Sequence, residues 1–193
     1  ELVFLFLLGV ITSLSLPPLN YFIVNFFTFS FLFIFLFKKL DQHKNKKLFF
    51  IYGWLFGFGY FISNLYWISI SLTFDQNFKF LIPFIIILIP AFLAIFYGLV
   101  AYLFLIFRSK KIVISFLIFS VIFGVLEFIR GSILTGFPWN LIAYSFSNQL
   151  KLLSIISVVG TYGFNLFCIS LFTCPAILIF RDSKKDIGFF IFF

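Results

Sequence analysis

An acid and a base stand close together in an otherwise apolar run. Glu127 and Arg130 are three residues apart, so on a helix they share one face and can pair. A single carboxylate supplies no acid/base couple, so this face alone does not predict catalysis. Two interpretations stay open: a structural ion pair that fastens a helix end, or a polar anchor that lines a cavity, because charges at membrane depth face protein or water.

The residues that follow Arg130 predict a break in the helix with large rings on it. Gly131, Gly136 and Pro138 interrupt helical continuity, while Phe137 and Trp139 suit the interface between headgroups and acyl chains. Trp139 has an ordinary interpretation as a membrane-belt anchor. The functional interpretation is that Phe137, Trp139 and Asn140 form the wall and polar rim of a pocket that admits a lipid chain from the side.

A second stretch, GWLFGFGYFISNLYWISIS at 53–71, combines small residues with polar groups. Gly53 and Gly57 have the spacing that lets a neighbouring helix approach closely. The polar and ring-bearing residues near the far end of this stretch are Asn64, Tyr66 and Trp67. They fall at about the depth expected for Glu127 and Trp139, so the sequence allows one cluster at that end.

Composition defines the elements that must position these residues. Hydrophobic residues make up 63% and charged residues 10% of 193 positions, and the mean hydropathy is +1.20. A soluble domain of this size could not cover so much apolar surface. The net charge of +8 falls in short clusters between apolar runs, as in the loops of membrane proteins, which excludes nucleic-acid binding as the preferred function.

The predicted fold is all-α, a polytopic transmembrane helix bundle with six full spans and the start of a seventh. A span needs about 20 apolar residues. The predicted spans lie at about 2–16, 19–37, 48–72, 80–107, 112–130 and 155–180, with another starting at 187. The basic clusters at 38–47, 108–111 and 181–185 predict cytoplasmic loops and an inward amino terminus.

Other reactive residue types do not form a site. Cys168 and Cys174 lie six apart in an apolar segment, on different helical faces, so they predict packing rather than a disulfide or a metal site. His43 sits in a basic loop and is interpreted as a solvated residue. The sequence predicts no metal and no cofactor.

Four stretches in order carry a family resemblance: SLSLPPLNYF at 13–22, the stretch 53–71, LEFIRGSILTGFPWNLIAYS at 126–145 and QLKLLSIISVVGTYGFN at 149–165. Together they resemble the amino-terminal membrane region of bacterial apolipoprotein N-acyltransferases. The element LEFIRG followed by TGFPWN is the most specific part. The resemblance implies a monomer in the bacterial inner membrane, and it makes the whole chain, 1–193, the amino-terminal transmembrane domain.

The resemblance also implies an activity. The family takes an acyl chain from a phospholipid, holds it as a thioester on a cysteine, and passes it to the amino-terminal S-diacylglyceryl cysteine of an apolipoprotein. Its catalytic Glu, Lys and Cys belong to a nitrilase-like periplasmic domain, which is expected to follow this chain. The absence of Met and the interrupted apolar run at the end favour a fragment, which we expect to be inactive alone. An amphiphile transporter and a non-catalytic membrane assembly protein stay open as alternatives.

Overall fold

A computed structural model describes residues 1–42, 45–133, 136–180, 188 and 190, and within these ranges the chain is helical without strands. This agrees with the all-α prediction, because backbone amides in an apolar environment must be satisfied within their own segment. The α-helices are α1 Leu2–Ser13, α2 Val24–Gln42, α3 Lys46–Asn64, α4 Ile82–Phe107, α5 Ile112–Ser132, α6 Leu150–Leu153, α7 Ile156–Thr173 and α8 Ala176–Ile179. The 3₁₀ helices are η1 Tyr66–Thr73, η2 Gln76–Leu81 and η3 Ile142–Phe146.

Six full spans are not confirmed. Among the described residues, three helical segments are long and apolar enough to cross a membrane, namely Gln76–Phe107, Ile112–Ser132 and Ile156–Ile179, and α3 with η1 makes a fourth if the bent pair counts as one span. The first predicted span, 2–16, is only the 12-residue α1, which rises about 18 Å at 1.5 Å per residue, against about 30 Å of hydrocarbon. The predicted span start at 187 and His43 lie outside the described residues.

The second predicted span, 19–37, is displaced along the chain. Residues 14–23 form turns that include a cis Pro17–Pro18 peptide, and α2 begins only at Val24. Proline has no backbone N–H and clashes with the preceding helical turn, so two adjacent prolines keep this stretch out of a helix. At its other end α2 extends beyond the predicted span, through Lys38 and Lys39.

The third predicted span, 48–72, is broken rather than continuous. The helix ends at Asn64 and η1 continues at an angle of 45°. Ser63 Oγ donates to the Gly59 carbonyl at 2.9 Å, and Asn64 Nδ2 donates to the Tyr60 carbonyl at 3.1 Å. Side chains that bond back to the carbonyl four residues earlier compete with the helical ladder and bend it, so the polar end of this stretch explains the break.

Close helix approach builds the bundle around an aromatic core. A Cβ on Gly9 would lie 2.0 Å from the Phe56 carbonyl oxygen, and one on Gly53 would lie 2.1 Å from the Tyr97 carbonyl oxygen. Only glycine lets α1 and α4 approach α3 this closely, as the small-residue spacing predicts for α3. The largest fully buried rings come from α2, α3, α4 and α5, and they are Phe29, Phe33, Phe49, Phe56, Tyr60, Phe61, Tyr97, Phe104, Phe116, Phe119 and Phe123.

The bundle has two chemically different ends. The C-terminal ends of α1, α3 and α5 meet the turns at 14–23, the helix η1 and the segment 136–149, which we call the site end. The opposite end, which we call the basic end, carries the C-terminus of α2, the N-terminus of α3 and the α4–α5 connection. Its cations within the described residues are Lys38, Lys39, Lys46, Lys47, Arg108, Lys110 and Lys111.

Candidate functional site

A buried ion pair occupies the C-terminal turns of α5. Arg130 Nε donates to Glu127 Oε1 at 3.0 Å, and Arg130 Nη2 donates to Glu127 Oε2 at 3.0 Å. Each residue is only 1% exposed. Two parallel bonds between a guanidinium and a carboxylate fix both the distance and the orientation of the pair. The ion pair predicted from the three-residue spacing is therefore present, and it is shielded from water.

Arg130 also holds the chain that follows the helix. Its Nη1 donates to the carbonyl oxygens of Phe137 and Trp139, both at 3.0 Å. Its guanidinium carbon lies 5.2 Å from the centre of the Phe61 ring and 6.0 Å from that of Phe137. One side chain thus satisfies two carbonyls that no helix satisfies. We call residues 136–140 the clamped segment.

The clamped segment is shaped by residues with positive φ at both ends. Gly136 has φ +75° and donates its N–H to the Ile133 carbonyl at 2.8 Å. Asn140 has φ +58°, and its carbonyl accepts a hydrogen bond from the Tyr60 hydroxyl at 2.9 Å. Glycine adopts this conformation without steric cost, and asparagine tolerates it better than most residues. α3 and α5 therefore fix the segment from two sides.

A cavity of about 890 Å³ lies on one side of the clamped segment, between α1, α3 and η1. Six residues singled out from the sequence line it: Asn64, Tyr66, Trp67, Pro138, Trp139 and Asn140. The Trp67 and Trp139 rings stack with their centres 5.4 Å apart and an interplanar angle of 22°. The rest of the wall includes Ser13, Pro17 and Tyr144. This cavity combines apolar surface with amide and hydroxyl groups.

A second space of about 310 Å³ lies on the other side of the segment, against α4. Arg130, Gly136 and Phe137 line it together with apolar side chains that include Leu88 and Phe92. Leu88 and Phe92 are exposed on a helix long and apolar enough to span a membrane, so this groove opens on the exposed apolar face of α4. The sequence-predicted residues are thus shared between two spaces, while Glu127 is buried behind the segment.

Two residues that help to hold the site, Tyr60 and Asn165, were not predicted from the sequence to be site residues. Tyr60 lies in α3 within the stretch 53–71 but was not singled out there, and its hydroxyl donates a hydrogen bond to the clamped segment. Asn165 in α7 accepts a hydrogen bond from the Ala143 N–H at 3.0 Å and so fixes η3. The usable signal was a polar side chain within an apolar helix, since such groups almost always face protein partners.

The two cysteines take no part in this arrangement. Cys168 and Cys174 are buried free thiols. Within the described residues, neither thiol lines the 890 Å³ cavity or the 310 Å³ groove. Their burial agrees with the packing role predicted from their spacing.

Comparison with known proteins gives the arrangement a family. The family model for the apolipoprotein N-acyltransferase N-terminal domain matches residues 8–174. Curated relatives called apolipoprotein N-acyltransferase include those of Rickettsia prowazekii, 38% identical over 86% of this chain, and Rhodopseudomonas palustris, 37% identical over 90%. The relative from Allorhizobium ampelinum is 32% identical over 92% of the chain. The match covers 32% of the first two relatives and 34% of the third, so the chain spans about a third of their length. The chain belongs to the apolipoprotein N-acyltransferase family, by its match to the family's N-terminal domain.

Proposed function

We propose that this chain is the membrane-embedded part of an enzyme that moves an acyl chain from a phospholipid to the amino-terminal S-diacylglyceryl cysteine of an apolipoprotein. Its own task is to hold the acyl chains of these substrates at the site end. The nucleophile and its acid/base partners belong to a nitrilase-like domain outside residues 1–193, so the chain alone is inactive. The observation that carries this proposal is the segment held by Arg130 between two spaces of different polarity.

The two spaces suit the two parts of an amphiphile. The groove against α4 presents apolar walls to the surrounding lipid, which favours entry of an acyl tail from the side. The larger cavity adds the side chains of Asn64, Tyr66 and Asn140 to an apolar wall, as expected where a tail meets a polar headgroup or ester. Phe137 faces the groove and Trp139 the cavity, so the clamped segment shapes both.

The proposal extends to location and partners. The basic end lies on the cytoplasmic side of the bacterial inner membrane, because basic loops are retained there. The site end then faces the periplasm, below the catalytic domain. The partners are the phospholipid donor, the diacylglyceryl apolipoprotein and membrane lipids. The protein acts as a monomer without cofactor or metal, and nucleic acid is not a partner.

The test uses the full-length enzyme and a ring on the cavity wall. Trp139→Ala removes the stack with Trp67, and we expect kcat/KM for acyl transfer to a diacylglyceryl peptide to fall about tenfold, or about 1.4 kcal/mol. Trp139→Phe keeps a ring and should recover most of the loss. Phe74→Ala is the matched control, because Phe74 is an 86% exposed ring that follows η1. If Trp139→Ala and Phe74→Ala had equal kcat/KM, Trp139 would be only an aromatic anchor at the membrane interface, and the proposed role in holding substrate would be wrong.

A further inference from the structure

An apolar cleft lies at the basic end, between the N-terminus of α3 and the C-terminal half of α4. Its volume is about 430 Å³. Its walls are Phe50, Ile51, Leu99 and Tyr102, and the side chains of Lys46 and Lys47 complete the lining. Lysine buries its aliphatic stem along apolar surface while its ammonium stays at the polar edge. The cleft therefore has apolar walls and a cationic rim.

A second crevice, of about 340 Å³, adjoins the same rim. Lys46 lines it together with Leu105, Ile106 and Arg108. Lys46 thus contributes to both spaces, and Arg108 lines the second. The combination of cation and apolar wall is repeated on each side of Lys46.

Local sequence builds the cleft. Lys46 lies four residues before Phe50 on α3, and Lys47 lies four before Ile51, so the lysines sit one turn above the apolar residues on the same face. The Phe50 ring packs over Gly98 of α4, where an added Cβ would lie 2.7 Å from a ring carbon. Because Gly98 has no side chain, the Phe50 ring can lie between the two helices, where it forms part of the wall of the cleft.

We propose that this cleft binds an anionic phospholipid, with the phosphate between Lys46 and Lys47 and one acyl chain against Phe50 and Leu99. The cleft opens on the side of two apolar helices, where membrane lipid is the neighbouring molecule. Basic pockets between membrane helices bind anionic headgroups for the same electrostatic reason. Retention of basic loops on one side of the membrane accounts for the lysines alone, but it does not account for an apolar cleft below them.

This site is independent of the proposed acyl transfer. It lies at the end of the bundle opposite the clamped segment, and it requires only that the chain be embedded in lipid. The lipid bound there is held as a ligand, and no bond in it is broken. Loss of lipid binding at the basic end and loss of transferase activity at the site end are therefore separate results.

The test is native mass spectrometry of the intact protein from detergent micelles that contain equal amounts of phosphatidylglycerol and phosphatidylcholine. We expect the wild-type protein to retain phosphatidylglycerol preferentially. The double variant Lys46→Gln, Lys47→Gln should lose affinity for it by about 10- to 30-fold, since each basic residue near an anionic lipid contributes roughly a fivefold effect. Retention of phosphatidylcholine should change little.

Two further variants separate a built site from diffuse charge. The control Lys110→Gln, Lys111→Gln removes the same charge from the same end, outside both lining sets, and should retain the lipid as the wild type does. Leu99→Trp fills the cleft without changing charge and should also lower retention. Equal loss in the control, no lipid preference in the wild type, or full retention by Leu99→Trp would overturn the proposal. Circular dichroism melts verify that each variant is folded.

Discussion

Removing the charge of Glu127 is the sharpest perturbation of the site. Glu127→Gln keeps the shape of the side chain and one oxygen, but it leaves the guanidinium of Arg130 buried without a counter-charge. Arginine does not give up its proton in proteins, so the cation cannot be neutralised. Both residues are 1% exposed, so solvent does not screen the loss.

The expected magnitude follows from burial. Breaking a buried pair by removing one partner costs about 3–5 kcal/mol. For a chain of 150–250 residues each kcal/mol corresponds to about 2–4 °C, so the midpoint should fall by roughly 6–20 °C. The assay is thermal unfolding in detergent at one fixed scan rate, because membrane proteins commonly unfold irreversibly. Lys111→Gln, an exposed charge, is the matched control and should shift the midpoint little.

A double variant separates the ion pair from the clamp. Glu127→Met with Arg130→Met removes both buried charges, and replacing a buried pair by apolar residues is often neutral for stability. The carbonyls of Phe137 and Trp139 nevertheless lose their donor. We therefore expect the double variant to recover much of the loss in thermal midpoint seen with Glu127→Gln. Amide hydrogen exchange at 136–140 should nevertheless be faster than in the wild type. If Glu127→Gln melts like Lys111→Gln, the ion-pair reasoning is wrong. If exchange is unchanged in the double variant, Arg130 does not hold the segment.

Two further substitutions test how neighbouring helices support the site. Gly131→Ala places a Cβ 1.9 Å from the Tyr162 hydroxyl, so the thermal midpoint should fall by several degrees, and adding Tyr162→Phe should recover part of it; no rescue would show that the hydroxyl is not the obstacle. Asn165→Ala leaves the buried Ala143 N–H without its acceptor, which costs about 1–3 kcal/mol. Hydrogen exchange should accelerate at Ala143, and an unchanged rate there would contradict this contact.

The sequence predicted helix type and apolar packing well, for physical reasons. Apolar composition forces backbone hydrogen bonds to close locally, which makes helices the only open choice within a span. The α5 boundaries, 112–130 predicted and Ile112–Ser132 observed, agree within two residues because charged residues mark both ends. Gly131 lies inside the last turn and does not interrupt the helix, so that part of the prediction was wrong. The glycine spacing at Gly53 and Gly57 likewise predicted the close approach of a neighbouring helix, which the structure shows to be α4.

The count of six spans from hydropathy was not confirmed where polar side chains and turns lie within an apolar run. The pair Pro17–Pro18 delays α2, and back-bonding by Ser63 and Asn64 interrupts the third span. Hydropathy averages over about 20 residues, so a single bent turn barely changes the average. Predicting such breaks requires identifying, for each polar side chain in the run, the backbone carbonyl to which it can donate a hydrogen bond.

Local sequence patterns also could not predict which distant residues contact the clamped segment. Arg130 and Phe137 are close in sequence, so their association was predictable as a cluster. The hydrogen bond from Tyr60 to Asn140 joins residues 80 positions apart, and one sequence carries no signal for such a pairing. Shared depth in the membrane suggested that Trp67 and Trp139 could meet, and the rings do stack, but the contact joins η1, which follows α3, to the clamped segment, which follows α5.

The acid and base in α5 can be understood from the segment they support. A non-helical segment beside an apolar groove has carbonyls that neither a helix nor lipid can satisfy. A guanidinium has enough donors to reach two such carbonyls and still form a bidentate pair, but it must then be buried with its charge. Glu127, one turn earlier, supplies the counter-charge. The ion pair therefore follows from keeping an irregular, ring-bearing segment between the 890 Å³ cavity and the 310 Å³ groove, and it needs no catalytic role to account for it.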